Sequence, residues 1–162
     1  MIGIDPGLAS TGWGVVGFDG SRFIHLAHGV VRTDPGAALP DRLRKIHKEL
    51  RKVLASFSPD EAGVEELFFA RNATSAMQVA HARGVVLLAL GQRSIPVGFY
   101  SPQQVKQAVI GRGKAEKEQV QRLVGVVLGL DEVPSPDHAA DALAIAICHA
   151  NRTTLDVQQR HG

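Results

Sequence analysis

The seven residues Met1-Ile-Gly-Ile-Asp-Pro-Gly7 constrain the fold of this chain more than any other segment. Residues 2–4 have the pattern of a short buried strand, which runs directly into a turn that begins with Asp5. A carboxylate at the end of a central strand is costly to remove from water unless a positive group meets it. Asp5 therefore either starts a Pro-Gly turn or belongs to a polar site at one edge of a sheet.

Two further acids favour the polar site. Glu65 follows the apolar segment Ala62-Gly63-Val64, so it also stands at the end of an expected strand. Asp141 lies on a late helix rich in Ala, Leu and Ile, which we expect to be largely buried.

The size and composition of the chain are those of a single globular domain. It has 162 residues, of which 44% are apolar and 21% charged, enough for a proper core. No apolar run is long enough to span a bilayer and no signal segment is visible, so we expect a cytoplasmic protein. The single cysteine, Cys148, is expected to be a core residue. We expect one domain over residues 1–152 and a flexible tail over residues 153–162.

Charge is distributed unevenly along the chain. Residues 71–125 contain eight Lys or Arg and two acids, so this segment carries +6, whereas the whole chain carries +2. A basic segment in a chain with clustered acids elsewhere suits a polyanionic ligand held beside a cation site. Solvated helix faces would give the same composition.

The first half of the chain predicts three strands, a helix and a fourth strand. Strands over residues 2–4, 11–18 and 22–32 are joined by short turns, which predicts an antiparallel meander. Apolar residues at three- and four-residue spacings predict an amphipathic helix over residues 39–57. Because this helix separates the third strand from a fourth at residues 61–65, the fourth can cross over and lie parallel to the first.

The second half alternates helices with one more strand. We expect a long helix from the N-cap Asn72 to about residue 93, a fifth strand over residues 95–100, and a short helix that starts at Ser101-Pro102. A basic loop at residues 111–113, a helix over 114–128 and a last helix from 137 to about 150 complete the chain. The fold class is α/β, with a mixed five-stranded sheet flanked by helices.

This topology brings the acids together. Ligands of open α/β sheets lie beyond the carboxyl ends of strands where the winding changes direction, and Asp5 and Glu65 both stand at such ends. On the last helix His138 and Asp141 are three residues apart and share a face, but Asp137 and Asp141 are four apart and share one too. Helical geometry alone does not choose between Asp137 and His138.

Converging carboxylates repel one another unless cations bind between them. Oxygen ligands suit Mg²⁺ or Mn²⁺. Two such ions about 4 Å apart can activate a water molecule and stabilise the leaving oxygen in phosphodiester hydrolysis. With the basic segment holding a nucleic acid backbone, the residues predict a metal-dependent nuclease.

Seven segments of the chain resemble the RuvC family of bacterial Holliday-junction resolvases (crossover junction endodeoxyribonucleases). The resemblance runs over about residues 2–150, with the motifs in the family's order and spacing. The segments are Ile2-Gly-Ile-Asp-Pro-Gly7, Thr11-Gly-Trp-Gly14, Val64-Glu65, Phe68, Gln104-Val-Lys-Gln107, Ala115-Glu-Lys117 and Ala139-Ala-Asp-Ala-Leu-Ala144.

The resemblance implies a ribonuclease-H-like fold and a homodimer that cuts four-way DNA junctions at two symmetric phosphates. It implies Mg²⁺ or Mn²⁺ as cofactor, with two ions per active site, and a preference for certain sequences at the cut. It also implies a role in recombination and DNA repair, alongside the RuvA–RuvB branch-migration complex.

Carried over residue by residue, the family's acids fall on Asp5, Glu65 and Asp141. The family usually has another Asp three residues before the last acid, and this chain has His138 there, with Asp137 beside it. This is a departure, and the register favours His138 as the fourth catalytic and metal-binding residue. An imidazole ligand would tilt the site toward Mn²⁺, and metal binding would weaken as pH falls through the imidazole pKa.

The family's DNA-contacting lysines fall on Lys106 and Lys117, which we expect to contact phosphate near the cut. Its loop aromatic falls on Phe68, which would stack on an unpaired base at the junction centre. The neighbouring cations Arg71, Arg112 and Lys114 are further DNA-binding candidates. The small residues of the helix over residues 72–93 would form the dimer surface.

Three other functions fit parts of the sequence. The pattern Asp5-x-Gly7 followed by Gly12 also resembles the first phosphate loop of actin-like ATPases and sugar kinases, but no second phosphate loop follows. A nuclease of the same fold could act on RNA or on an RNA–DNA hybrid. A binding module could recognise junctions without cutting them, and substitution of Glu65 would then have no effect.

Overall fold

A computed structural model describes residues 1–19, 21–66, 73–111 and 116–161 of the chain. The candidates Phe68, Arg71, Arg112 and Lys114 lie outside the described residues, as does the predicted N-cap Asn72. Within the described part, no helix is long and apolar enough to cross a membrane.

Five strands within the described ranges form one mixed sheet. They are β1 (Ile2–Asp5), β2 (Ser10–Phe18), β3 (Phe23–Arg32), β4 (Ala62–Glu65) and β5 (Val97–Tyr100), in the spatial order β3-β2-β1-β4-β5. Strand β2 is antiparallel to both β1 and β3, whereas β4 is parallel to β1 and β5 is parallel to β4. The predicted meander with two added parallel strands is confirmed.

In the described part of the chain, five helices cover the sheet. They are α1 (Leu39–Phe57), α2 (Ala73–Gly91), α3 (Pro102–Ile110), α4 (Lys117–Leu128) and α5 (Asp137–His161). The predicted cap of α3 is confirmed, because the Ser101 side chain accepts a hydrogen bond from the Gln104 backbone N–H while Gln104 reaches back to the Ser101 N–H. At the start of α4 the Gln119 side chain likewise accepts a hydrogen bond of 3.2 Å from the Glu116 backbone N–H.

The alternation of β1 separates two cores. Ile2 and Ile4 are fully buried in the core that lies under α1 and α2, where they pack with Leu50 and Leu54 of α1. Each such side chain contributes roughly 1.5–3 kcal/mol by leaving water. Asp5 has the opposite orientation, because successive side chains of a strand alternate between faces. It therefore lies on the face that α5 covers.

Helix α5 lies unusually close to the sheet. A Cβ atom added at Gly3 would overlap the carbonyl oxygen of Ala142, and one added at Gly12 would overlap that of His138. The glycines of β1 and β2 therefore set the distance between sheet and helix. As a consequence, the first turns of α5 lie over the carboxyl end of β1.

The last helix is longer than predicted. It continues beyond Ala150 to His161. Residues 151–161 contain neither Gly nor Pro, and Arg, Leu and Gln are good helix formers, so loss of the apolar pattern does not end the helix. The expected end near residue 150 is wrong, whereas the flexibility of residues 153–162 stays a prediction.

A Gly3→Ala substitution should lower the free energy of unfolding by about 3 kcal/mol, at the upper end for an overpacked core. The added methyl group meets the backbone of α5, which cannot move aside as a side chain could. Chemical denaturation of the two proteins measures this difference.

The matched control is Gly91→Ala. Among the described residues, no atom beyond its own helix backbone and chain neighbours lies within 4 Å of a Cβ at Gly91, at the end of α2, so this change should stay within about 1 kcal/mol of the parent. Equal effects of the two substitutions would show that close packing of α5 on β1 is not required.

Candidate active site

Three candidate metal ligands meet above the end of β1. Asp5, the last residue of β1, is only 9% exposed. His138 and Asp141 come from the first turns of α5, and one ligand atom from each of the three residues lies within 4.8 Å of the others. The predicted meeting of the strand-end acid with the last helix is therefore present in the structure.

His138 is held directly against Asp5. Its Nδ1 atom lies 2.7 Å from Asp5 Oδ2. The hydrogen bond to Asp5 raises the pKa of His138, although partial burial opposes this. Asp137 is more exposed and lies 3.6 Å from the ammonium of Lys117, measured from its Oδ2 atom. Of the two candidates for the fourth ligand, His138 is the one that the structure brings to Asp5.

Glu65 reaches the same place from β4. Ile4 pairs with Val64 in the parallel ladder, so Asp5 and Glu65 follow at neighbouring positions of β1 and β4. Burial, together with the charges of Asp5 and Asp141, raises the pKa of Glu65 to about 7. Glu65 therefore keeps its proton at moderately acidic pH.

Lys117 offsets part of the negative charge. Its Nζ atom lies 2.9 Å from Asp141 Oδ2. Burial raises the pKa of Asp141, while the hydrogen bond from Lys117 opposes the increase. The bonds to Asp141 and Asp137 raise the pKa of Lys117 despite its partial burial, so it stays protonated.

A groove of about 200 Å³ lies beside these carboxylates. Its polar lining consists of Glu65, Asp141, Lys106 and Lys117. The apolar lining comes from α3, α4 and α5: Pro102, Val105, Val120, Ala144 and Ile145. Both predicted phosphate-contacting lysines therefore border the same groove as two of the acids.

The donor set suits a hard divalent cation. Asp5, Glu65 and Asp141 offer carboxylate oxygens and His138 offers an imidazole nitrogen, all near an excess of negative charge. Mg²⁺ and Mn²⁺ are bound by such oxygen-rich sets, and an imidazole is acceptable to Mn²⁺. A thiol is not part of the set, because Cys148 is buried in the core below α3 and α4.

The structure brings together six of the residues singled out from the sequence: Asp5, Glu65, Lys106, Lys117, His138 and Asp141. The contact between Lys117 and Asp141 was not anticipated, because it joins α4 to α5 across a loop and leaves no spacing signal in the sequence. Phe68, Arg71, Arg112 and Lys114 lie outside the described ranges.

Comparison with known proteins gives one consistent result. The family model for the crossover junction endodeoxyribonuclease RuvC matches residues 1–149. The RuvC of Treponema denticola is 52% identical over 151 residues, covering 93% of this chain and 85% of that protein. The RuvC of Heliobacterium modesticaldum is 48% identical over 160 residues and 99% of both chains. The structure of T. thermophilus RuvC in complex with a Holliday junction substrate is similar with a TM-score of 0.91, at 43% identity over 96% of each chain.

Replacement of Glu65 by Gln should stabilise the metal-free protein at pH 8 by more than about 1 kcal/mol and should have little effect near pH 4. The folded-state pKa of Glu65, about 7, is above its ordinary value of 4.5, so stability falls as pH rises between these values. Gln imitates the protonated form and removes that loss. Urea denaturation in a chelator, over a pH series, measures the difference.

Glu66→Gln is the matched control. Glu66 is the next residue and is exposed, so this change should leave the pH dependence of stability as in the parent. A Glu65→Gln protein whose stability follows the parent at every pH would contradict the carboxylate repulsion.

Proposed function

The chain belongs to the RuvC family of crossover junction endodeoxyribonucleases, and on that premise we propose that Asp5, Glu65, His138 and Asp141 are its catalytic, metal-binding residues. It is a Holliday-junction resolvase with the ribonuclease-H-like fold. The observation that carries the assignment is the meeting of Asp5, His138 and Asp141 within 4.8 Å, beside a Glu65 whose pKa is raised. The family consists of nucleases, so we do not propose that the chain is an ATPase or a module that only binds junctions.

The carboxylates supply the anionic side of the proposed chemistry. Mg²⁺ or Mn²⁺, two ions per site in our proposal, would provide the positive charge that activates water and stabilises the leaving oxygen when bound. Asp5 and Glu65 come from neighbouring strands, so their carboxyl groups are held in place by the sheet ladder rather than by a loop. This rigidity suits a site that must keep like charges close together.

The lysines supply the cationic side. Lys106 and Lys117 border the groove, and we assign them to the phosphates around the cut. Lys117 is paired with Asp141, so its ammonium is already located within the site before DNA arrives. A fixed positive charge beside a developing oxyanion stabilises it more than a mobile solvent cation would.

The exposed face of α2 is the proposed dimer surface. Met77 and Leu88 are 64% and 55% exposed, and with His81 and Gly84 they follow a spacing of four, three and four residues along one face. A two-fold dimer contact uses the same patch on both copies. Two sites related by this axis would cut two strands of a symmetric junction as a pair.

The cellular setting remains a proposal drawn from the family. We assign the enzyme to recombination and DNA repair in the cytoplasm, with the RuvA–RuvB branch-migration complex as partner. We propose that Phe68 stacks on an unpaired base. Arg71, Arg112 and Lys114 are proposed as further DNA contacts.

Cleavage of a labelled four-way DNA junction, compared with linear duplex of the same sequence, tests this function. In Mg²⁺ or Mn²⁺ the parent should make paired symmetric nicks in the junction only, and Glu65→Gln should lose them by at least about a thousandfold. Equal cutting of linear duplex, or tight junction binding without cutting in either metal, would overturn the assignment.

His138→Ala should weaken Mn²⁺ binding by at least about tenfold and slow junction cleavage, because it removes a ligand that contacts Asp5. Asp137→Ala should retain both activities, because Asp137 is exposed and paired only with Lys117 among the described residues. Calorimetric Mn²⁺ titration measures binding apart from cleavage. If His138→Ala matches the parent while Asp137→Ala is inactive, the ligand assignment is wrong.

Leu88→Glu should convert the dimer to a monomer at micromolar concentration, because it places a charge within the apolar face of α2. Sedimentation velocity distinguishes the two states. Val126→Glu is the control, since Val126 is 73% exposed on α4 and lies outside the proposed surface. A Leu88→Glu protein that remains a dimer would place the dimer contact elsewhere.

A further inference from the structure

A second polar pocket lies at the start of α1. Its volume is about 650 Å³. It is formed by the segment that follows β3 and by the first three turns of the helix: Thr33, Asp34, Ala37, Asp41, Arg42, Arg44, Lys45, Lys48 and Glu49. The proposed catalytic machinery uses none of these residues.

The pocket shares an edge of the sheet with the candidate active site. Strands β1 and β3 are both antiparallel to β2, so their carboxyl ends lie at the same edge. Asp5 is level with Gly12 and Val30 across the sheet, so Thr33 is two strands away and three residues further along, about 14 Å at the usual strand spacing and rise. Lys106 and Lys117 belong to helices that pack on α5, on the face of the sheet that carries Asp5, whereas α1 covers the opposite face.

Arg42 is anchored to the loop that follows the catalytic strand. Thr33 is 7% exposed, and its hydroxyl donates a hydrogen bond of 2.6 Å to the carbonyl oxygen of Leu8. The same hydroxyl oxygen accepts a bond of 2.9 Å from Nε of Arg42. The two terminal nitrogens of the guanidinium take no part in this bond, and they are the pair that binds phosphate in a planar fork.

The acids of the pocket are engaged elsewhere. Asp41 is paired with Arg44 at 2.9 Å, and Glu49 with Lys52 at 2.8 Å. The remaining acid, Asp34, accepts a bond of 2.9 Å from the backbone N–H of Gly36.

The pocket contains two further cations, Lys45 and Lys48. Within the described chain, neither Lys45 nor Lys48 has an ion pair within 4.0 Å. Together with Arg42 they leave an excess of positive charge at this end of α1.

We propose that Arg42, Lys45 and Lys48 bind backbone phosphates of the junction, on the side of the scissile phosphate opposite Lys106 and Lys117. The inference rests on the proposed function, since it extends the DNA surface of the same site. A DNA strand that crosses the sheet edge over Asp5 must continue on both sides of it. The lysines of α3 and α4 hold one side, and the α1 cations hold the other.

Phosphate contacts of this kind have a recognisable effect on salt dependence. Each neutralised phosphate contributes about −0.9 to the slope of log affinity against log salt concentration for double-stranded DNA. Loss of one contact should reduce the slope by about 1 and weaken binding without changing sequence preference. Loss of folding or of catalytic geometry would not change the slope in this way.

Junction binding over about 50–200 mM salt in a chelator, where cutting is absent, tests the proposal. Arg42→Gln/Lys45→Gln should bind at least about tenfold more weakly than the parent at about 100 mM salt, and its slope should be shallower by about 1 to 2.

Lys52→Gln is the matched control. Lys52 lies two helical turns, about 10 Å, beyond Lys45 on the same face of α1, and it is paired with Glu49. Lys52→Gln removes one positive charge from the helix, so it reports the general effect of charge on binding. It should keep the affinity and the slope of the parent.

Lys45→Gln/Lys48→Gln keeps the test valid if loss of the Arg42–Thr33 bond unfolds the protein, because neither lysine has a hydrogen bond to lose among the described residues. Parent slope and affinity in the folded double variants, or an equal loss in Lys52→Gln, would overturn the α1 surface. A parent that neither binds nor cuts the junction would instead overturn the proposed function itself.

Discussion

The mutual repulsion of Asp5, Glu65 and Asp141 is the constraint on which the rest of the structure depends. Burial of carboxylates beside one another is unfavourable unless protons or cations compensate, and the raised pKa of Glu65 reports that cost. His138 and Lys117 compensate in part, through contacts of 2.7 and 2.9 Å. A remaining excess of negative charge at a rigid location is what a divalent cation needs.

The scaffold maintains this arrangement by fixing the backbone of the strands and the helix that carry these side chains. Both strand-end acids stand on paired strands, and α5 is drawn close to the sheet because Gly3 and Gly12 have no side chains. The hydrophobic core between β1 and α1 contributes stability that offsets the electrostatic repulsion at the site. In our proposal stability and activity are therefore opposed at Glu65, where a neutral side chain would favour the fold and remove a catalytic carboxylate.

The sequence predicted the elements that local patterns specify. The meander, the amphipathic α1 and the Ser101 cap follow from alternation, periodicity and capping chemistry, and the strand-end positions of Asp5 and Glu65 follow from them. Helical geometry alone did not choose between His138 and Asp137, since both share a face with Asp141. The register of the family resemblance favoured His138, and the structure places its Nδ1 atom 2.7 Å from Asp5. The end of α5 was missed because the apolar pattern stops before the helix does, and the anchoring of Arg42 by Thr33 depends on packing that no spacing reveals.

Diffraction data collected at the manganese absorption edge, from crystals grown with Mn²⁺, would test the central claim most directly. The account predicts anomalous density at direct coordination distance from Asp5 and Asp141, with His138 and Glu65 around it and Lys117 no longer 2.9 Å from Asp141. Crystals that hold Mn²⁺ elsewhere, or none at all, with Lys117 still paired to Asp141, would contradict it.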